Sequence, residues 1–357
     1  MLNTARALID LGALRHNLSV VRALCPHSRI MAMVKADAYG HGLLPVAQAL
    51  READGLAVAR LEEALQLRRA GVSQRLLLLG SLLDAGDLEI CASERIDVEV
   101  HDEATAELVC RRRGSPLNVW LKLDSGMHRL GLDPALFRAV DAWLRRTPTV
   151  AEIVHMTHFA CADDPSSTHT ARQLDCFRQA HGDSDAAISV ANSAALIAQP
   201  EARGDWVRPG IMLYGDNPLA DSHPLPLQPV MTLCARVLAI REIAPGEGVG
   251  YGARWTSERP SRIATLGIGY GDGYPRHAAS GTPVLFSGQR APLAGRVSMD
   301  SITVDITDID GVRVGDEAIL WGEGLPAAEV ARHADTISYE LFTSIGSRVS
   351  RDYLHSS

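Results

Sequence analysis

Lys35 ends an apolar run and opens a glycine-bearing turn in MVKADAYGHG, residues 33–42. If that run is a strand of an α/β barrel, the lysine stands at the strand's C-terminal end, the face on which barrel active sites are built. A lysine held there, with its pKa lowered by partial burial, is suited to forming a Schiff base with an aldehyde cofactor. Taken alone, it reads more often as a solvated surface residue or the partner of an acid. Two further turns shift the balance. Asn192-Ser193 opens a helical run, and Arg208-Pro209-Gly210-Ile211 follows an apolar one. A hydroxyl, a glycine amide and a helix N-terminus make a phosphate cradle, which barrel enzymes often place after strands seven and eight. Singly, Asn192 or Ser193 is an ordinary helix cap and Gly210 an ordinary turn. Their joint placement opposite a barrel lysine favours the cradle.

The elements that must position these residues are legible as alternating short β-type runs and helical segments up to about residue 215. The candidate strands are 30–34, 55–59, 76–79, 97–100, 118–123, 153–157, 188–191 and 205–208, which predicts a closed (β/α)8 TIM-type barrel. Crossover helices are predicted at 61–70, 103–113, 134–146 and 170–181. Residues 7–24 would be an extra element ahead of the barrel. Pro218, Pro224, Pro226 and Pro229 mark a linker over 217–229. Beyond it, β-branched runs at 230–240, 263–268, 283–286 and 302–306 between glycine-rich turns predict a mostly-β second domain, with a helix at 327–333 and a polar tail. The expected domains are therefore 1–225 and 226–357.

Composition excludes several classes. The 357 residues are 46% hydrophobic and 22% charged, as in a globular enzyme. The net charge of −8 argues against a nucleic-acid partner. No 18-residue apolar run spans a membrane, and residues 1–24 lack the apolar core of a secretory signal, so a cytoplasmic location is expected. The six cysteines form no C-x-x-C pair and are expected as free thiols; neither a disulfide framework nor a metal site is signalled. His155 and His158 fall on opposite faces of a strand, so no metal pair is expected there. GIGYGDG fits no register of the dinucleotide-binding G-x-G-x-x-G pattern.

The strings VKADAYGHG, LDSGMHRLG, THFACAD, ANSAA, WVRPGIMLYG, GYGARW, GYGDGYPR and GRVSMD, in this order over nearly the whole chain, resemble the alanine racemase family. The resemblance implies a fold-type III enzyme that binds pyridoxal 5'-phosphate in its barrel and works as a homodimer with shared active sites. It implies that Lys35 holds the cofactor aldehyde carbon, and that Tyr39, Ser193 with its neighbour Asn192, Gly210 and Ile211 hold the phosphate. It places Arg208 at the pyridine nitrogen and His158 in the surrounding hydrogen-bond network. An arginine cannot give up its proton, so the ring nitrogen would stay unprotonated and the ring a weaker electron sink, which disfavours transamination. Racemisation needs acid–base groups on both faces of Cα. Lys35 is one, and the resemblance makes Tyr251, from the second domain and reaching the partner's barrel, the other. On residue type alone Tyr251 is a half-buried strand or turn tyrosine.

By the same correspondence, Arg129 and the backbone at Met299 bind the substrate carboxylate, and Lys122 matches a lysine carbamylated in some members. Before that correspondence, Arg129 is as readily a salt-bridge partner of Asp124. Asp163, Tyr270 and Arg276 would narrow the entrance, admitting alanine and excluding larger amino acids. The implied function is interconversion of L- and D-alanine, supplying D-alanine for peptidoglycan. The alternatives are a catabolic alanine racemase, a broad-specificity racemase, a decarboxylase on the same fold, which Arg208 disfavours, and a non-catalytic cofactor carrier, which would need no second domain. Two positions depart from the family pattern: Gly271 stands for the usual alanine, and residues 347–351 read SRVSR where R-V-P-R is common.

Overall fold

A computed structural model describes residues 4–219 and 221–354. Chain order begins with strand β1 (Ala5–Asp10) and helix α1 (Leu11–Leu24), then β2 (Arg29–Met33), a turn α2 (Lys35–Tyr39) and helix α3 (Leu43–Ala49). Next come β3 (Gly55–Val58), α4 (Leu61–Arg69), β4 (Arg75–Leu78), α5 (Ala85–Ser93), β5 (Ile96–Val100) and α6 (Glu103–Arg111). The pattern continues through β6 (Leu117–Lys122), α7 (Pro134–Leu144), β7 (Val150–Met156), α8 (His169–His181), β8 (Ala187–Ser189), α9 (Ser193–Ala198) and β9 (Trp206–Val207).

Strands β2 to β9 form one parallel sheet in the order 8-7-6-5-4-3-2-9. Its two ends meet just beyond the ladder, where the Arg208 amide donates to Ala191 O at 3.0 Å. The eight strands fall where they were expected, and the apolar runs of β2, β3 and β4 reflect burial on both faces. Helices pack outside. Phe137 of α7 is fully buried and meets the His155 ring edge-on, with centroids 4.7 Å apart. Phe137→Ala should cost about 3–5 kcal/mol of stability, measurable as a lower denaturant midpoint with an unchanged slope.

The second domain holds β10 (Met231–Ile243), β11 (Gly248–Val249), β12 (Trp255–Thr256), β13 (Ser261–Leu266), β14 (Pro283–Phe286), β15 (Gln289–Pro292), β16 (Ile302–Asp305) and β17 (Glu317–Trp321). It ends with α10 (Ala327–His333), α11 (Ser338–Ser344) and β18 (Ser350–Leu354). The main sheet runs 15-14-17-10-1-18, with β13 joined to β10 and β16.

Two expectations are corrected here. Residues 7–24 are not one extra element. They divide at Asp10, whose carboxylate accepts from the Gly12 and Ala13 amides at 2.7 and 3.0 Å and so starts α1. The preceding strand β1 pairs antiparallel with β10 and parallel with β18, inside the second sheet. The tail is likewise not polar coil, for α11 and β18 are regular and carry buried Leu341 and Phe342.

The expected boundary at 225 falls in a segment whose described residues hold no helix or strand. Residues 1–3, 220 and 355–357, which the two expected domains also span, lie outside the described residues. Buried Asn17 ties that segment to the barrel, donating to Leu213 O and Gln228 O and accepting from the Gln228 amide. The six cysteines carry free thiols, and no helix among the described residues is long and apolar enough to cross a membrane.

Candidate active site

A cavity of about 820 Å³ opens at the C-terminal ends of the barrel strands. Lys35, Tyr39, Lys122, Arg129, His158, Asn192, Ser193, Arg208 and Gly210 all line it. They are delivered at or after the ends of five strands, β2, β6, β7, β8 and β9, which is how separate stretches of sequence converge on one volume.

Lys35 is followed by a turn of unusual hand. Ala36, Asp37, Ala38 and Tyr39 have φ of 54, 53, 54 and 54°, a left-handed turn without a single glycine. Such a conformation costs about 1–2 kcal/mol per residue. Its surroundings over-determine it. The Asp37 carboxylate accepts from the Leu43 amide at 2.7 Å and the Asp37 carbonyl from the Gly42 amide at 2.9 Å. Tyr39 stacks on Tyr214 with centroids 4.8 Å apart, and Arg351 of β18 donates to Gly40 O at 2.7 Å. At Gly40 (φ 78°) a Cβ would run into the Phe342 carbonyl of α11. Arg351, the last residue of the altered 347–351 stretch, thus braces the lysine loop.

The electrostatics of the cavity are cationic. Burial lowers the Lys35 pKa, and Arg129 and Lys122 lower it further. Arg208 is buried and donates to Ser189 O (2.6 Å), Ser189 Oγ (2.7 Å) and Thr157 O (2.6 Å), with His158 Nδ1 at 3.4 Å. Among the described residues it has no carboxylate partner. Burial lowers its pKa to about 10, so it stays charged at neutral pH. Burial, then Arg208 and the other cations, pushes His158 well below its ordinary value, leaving a neutral imidazole.

Next to the lysine strand, after β9, the Gly210 amide donates to Ser193 Oγ at 2.9 Å, and Asn192 caps α9 by accepting from the Ala195 amide at 3.0 Å. A Cβ on Gly210 would lie 2.5 Å from the Tyr39 hydroxyl, so glycine is needed to keep this corner open. Ile211 follows, fully buried, and fixes the turn.

Other expected residues lie elsewhere. Tyr251, on the turn between β11 and β12, is 72% exposed and does not line the cavity. Met299 and Tyr270 are neighbours, joined by the Gly271 amide to Met299 O at 2.8 Å, and both are exposed, as are Asp163 and Arg276. Asp124 accepts from the His128 ring and amide, and no Arg129–Asp124 ion pair occurs among the described residues. His155 turns to Asp141 and His181, away from His158.

Sequence reasoning missed Glu99 and the α11 group Tyr339, Glu340 and Thr343, all in the lining. The signal for Glu99 was present: in β5 the apolar Ile96, Val98 and Val100 alternate with Asp97 and Glu99, although a buried parallel strand should be apolar on both faces. The α11 residues carried no comparable pattern.

A model described as alanine racemase, N-terminal domain, matches residues 9–218, and one described as alanine racemase, C-terminal domain, matches 230–353. The chain belongs to the alanine racemase family. The alanine racemase of Chromohalobacter salexigens is 51% identical over 352 residues, covering 97% of this chain and 96% of that one. Among solved structures, the biosynthetic alanine racemase of Pseudomonas aeruginosa superposes with a TM-score of 0.96 at 48% identity, over 99% of this chain and 100% of that chain. The alanine racemase of Bartonella henselae, solved with covalently bound pyridoxal phosphate, superposes at 0.90 with 34% identity, over 99% of this chain and 100% of that chain. Family membership accounts for the barrel, for the second domain and for a lysine at the end of β2.

Proposed function

We propose that this chain interconverts L- and D-alanine with pyridoxal 5'-phosphate, using Lys35 and Tyr251 as the two acid–base residues, and that it supplies D-alanine for peptidoglycan. The observation that carries this reading is the convergence, in one cavity, of a lysine with a depressed pKa, a buried arginine with no carboxylate partner among the described residues, and the Ser193–Gly210–Tyr39 corner.

The residues fit the cofactor. The glycine-kept corner, with a hydroxyl on each side and a backbone amide between them, would hold a phosphate, and Asn192 and Ile211 fix its backbone. Lys35 would hold the aldehyde carbon, and Arg208 the ring nitrogen. When bound, pyridoxal phosphate supplies the electron-withdrawing system that makes the alanine Cα proton acidic.

The chain supplies the rest. Burial, helped by Arg129 and Lys122, favours the neutral amine of Lys35, the form that can take a proton from one face of Cα. Arg208, charged and without a carboxylate partner among the described residues, gives the ring nitrogen no proton source, which suits racemisation over decarboxylation. Arg129, outside any described ion pair, is available to a substrate carboxylate, to which the backbone at Met299, outside the cavity of its own chain, would add a second contact. Tyr251 would protonate the opposite face. It is largely exposed and outside the cavity of its own chain, which supports a homodimer in which each subunit lends it to the other. Tyr270, Arg276 and Asp163 would then form the entrance, Asp163 near enough to Tyr339 to add to the burial that raises that phenol to about 12.

Purified protein with cofactor, incubated separately with L-alanine, L-serine, L-lysine and L-arginine and analysed by chiral chromatography, should form D-alanine rapidly, D-serine slowly and little else. Fast turnover of lysine or arginine, or amine products without D-isomers, would overturn the assignment.

A further inference from the structure

Glu99 is the one carboxylate that the barrel contributes to the described lining of the cavity, and it is 2% exposed. Strand β5 sets Asp97 and Glu99 on the same, inward face, and β6 runs beside it in parallel with Glu99 opposite Trp120. Lys122, two residues past Trp120 and so on the same face as it, reaches back and donates to both Glu99 oxygens, at 3.1 and 3.2 Å. Lys122 is itself buried. His101 Nδ1 lies 3.3 Å from Glu99 Oε1. Burial alone would raise the Glu99 pKa, but His101 and then Lys122 outweigh it and hold the carboxyl below its ordinary range. Burial lowers the Lys122 pKa, and Glu99 is the principal group working against that.

A carbamate on Lys122 would form by attack of the unprotonated amine on CO2, giving an N-linked carboxylate and releasing one proton. In this chain the product would set a second anion against Glu99 in a buried site, where two like charges strongly disfavour each other. It would also replace the bidentate ion pair and leave Glu99 without its partner, the costly way to break a buried pair.

We propose that Glu99 takes the place of a carbamate in this enzyme: it holds Lys122 as the ammonium and supplies, from within the chain, the fixed negative charge that CO2 would otherwise add. Glu99 is thus a positioning residue that acts through Lys122 on the Arg129 side of the cavity. The inference rests on the racemase reading, because that reading makes the state of Lys122 matter.

Lys35 and Lys122 are the chain's two lysines, which makes the test clean. Full-length holoenzyme equilibrated with bicarbonate is treated with triethyloxonium ion, which traps carbamates as ethyl esters, and the peptides are mapped by mass spectrometry. Lys122 of the wild-type protein should carry no ethyl carbamate, whatever esters form on neighbouring carboxylates such as Asp124, and its racemisation of alanine should not change when CO2 is stripped from the buffer. In Glu99→Gln, where no carboxylate opposes the reaction, the Lys122 peptide should gain one ethyl carbamate, and racemisation should fall without CO2 and recover when bicarbonate is restored. Glu99→Asp should again exclude CO2 from Lys122. An ethyl carbamate on Lys122 of the wild-type protein overturns the proposal without any variant having to fold, and so does a Glu99→Gln protein that folds yet takes up none. A wild-type protein that fails to racemise alanine sinks the racemase reading instead, whatever the state of Lys122.

Discussion

Tyr251→Phe should lower racemisation of alanine by about 10²- to 10⁴-fold, the usual contribution of a positioned acid–base group, while cofactor content stays at one per chain. The variant isolates the hydroxyl. Tyr251 is 72% exposed, so its replacement should leave stability within about 0.5 kcal/mol. Loss of one base does not silence both faces of Cα, because Lys35 remains on its own face. Exchange of the Cα proton with deuterated solvent should therefore persist from one enantiomer of alanine and nearly vanish from the other. Racemisation within a few-fold of wild type would remove Tyr251 from the mechanism. Equal loss of exchange from both enantiomers would show that the tyrosine serves binding or assembly rather than one proton.

Lys35→Ala should have a larger effect, at least about 10⁴-fold, because one change removes both the attachment point and the other base. The protein should fold, since the side chain lines a cavity rather than filling the core, but bound cofactor should wash out on gel filtration. Reduction of the wild-type holoenzyme with borohydride should fix the cofactor to the protein, and peptide mapping should find it on Lys35. Recovery of the label on Lys122 would refute the assignment. The left-handed turn after Lys35 bears on this result. It directs the chain away at once, so that Tyr39 enters the wall beneath Gly210 instead of continuing outward.

Some of this was open to reading in the sequence, for physical reasons. Strands such as β2, β3 and β4 are apolar on both faces and stand out as runs, and the linker stands out by its prolines. Strand β1 did not. Its partners, such as Ala235 opposite Ala5, lie far along the chain, and a short amphipathic strand running straight into a helix looks like part of that helix. The turn at 36–39 was equally hidden, because alanine and aspartate give no warning of positive φ; only the surrounding contacts hold it there. Gly210, Ser193 and Lys35 could be joined by strand-end logic, whereas Tyr251, Met299, Tyr270 and Arg276 were visible only through family likeness. Nothing local says that these four leave the cavity of their own chain. Glu99 lay in a readable alternation, and its meaning emerged only when Lys122 was found beside it.

The place of β1 also has a consequence in time. It is made before the barrel, yet its neighbour β10 is not made until the whole barrel has followed, and its other neighbour β18 comes later still. At 5–20 residues per second the first wait is about 10–45 s. Throughout that interval both edges of β1 are open while the barrel beside it is already able to close. Ala5, Ala7 and Ile9, small or modest apolar side chains that alternate with Arg6 and Leu8 and are followed by Asp10, make a poor template for a stray strand. A nascent chain held at this stage is the point at which a chaperone, or a mispaired neighbour, has the longest access to the molecule.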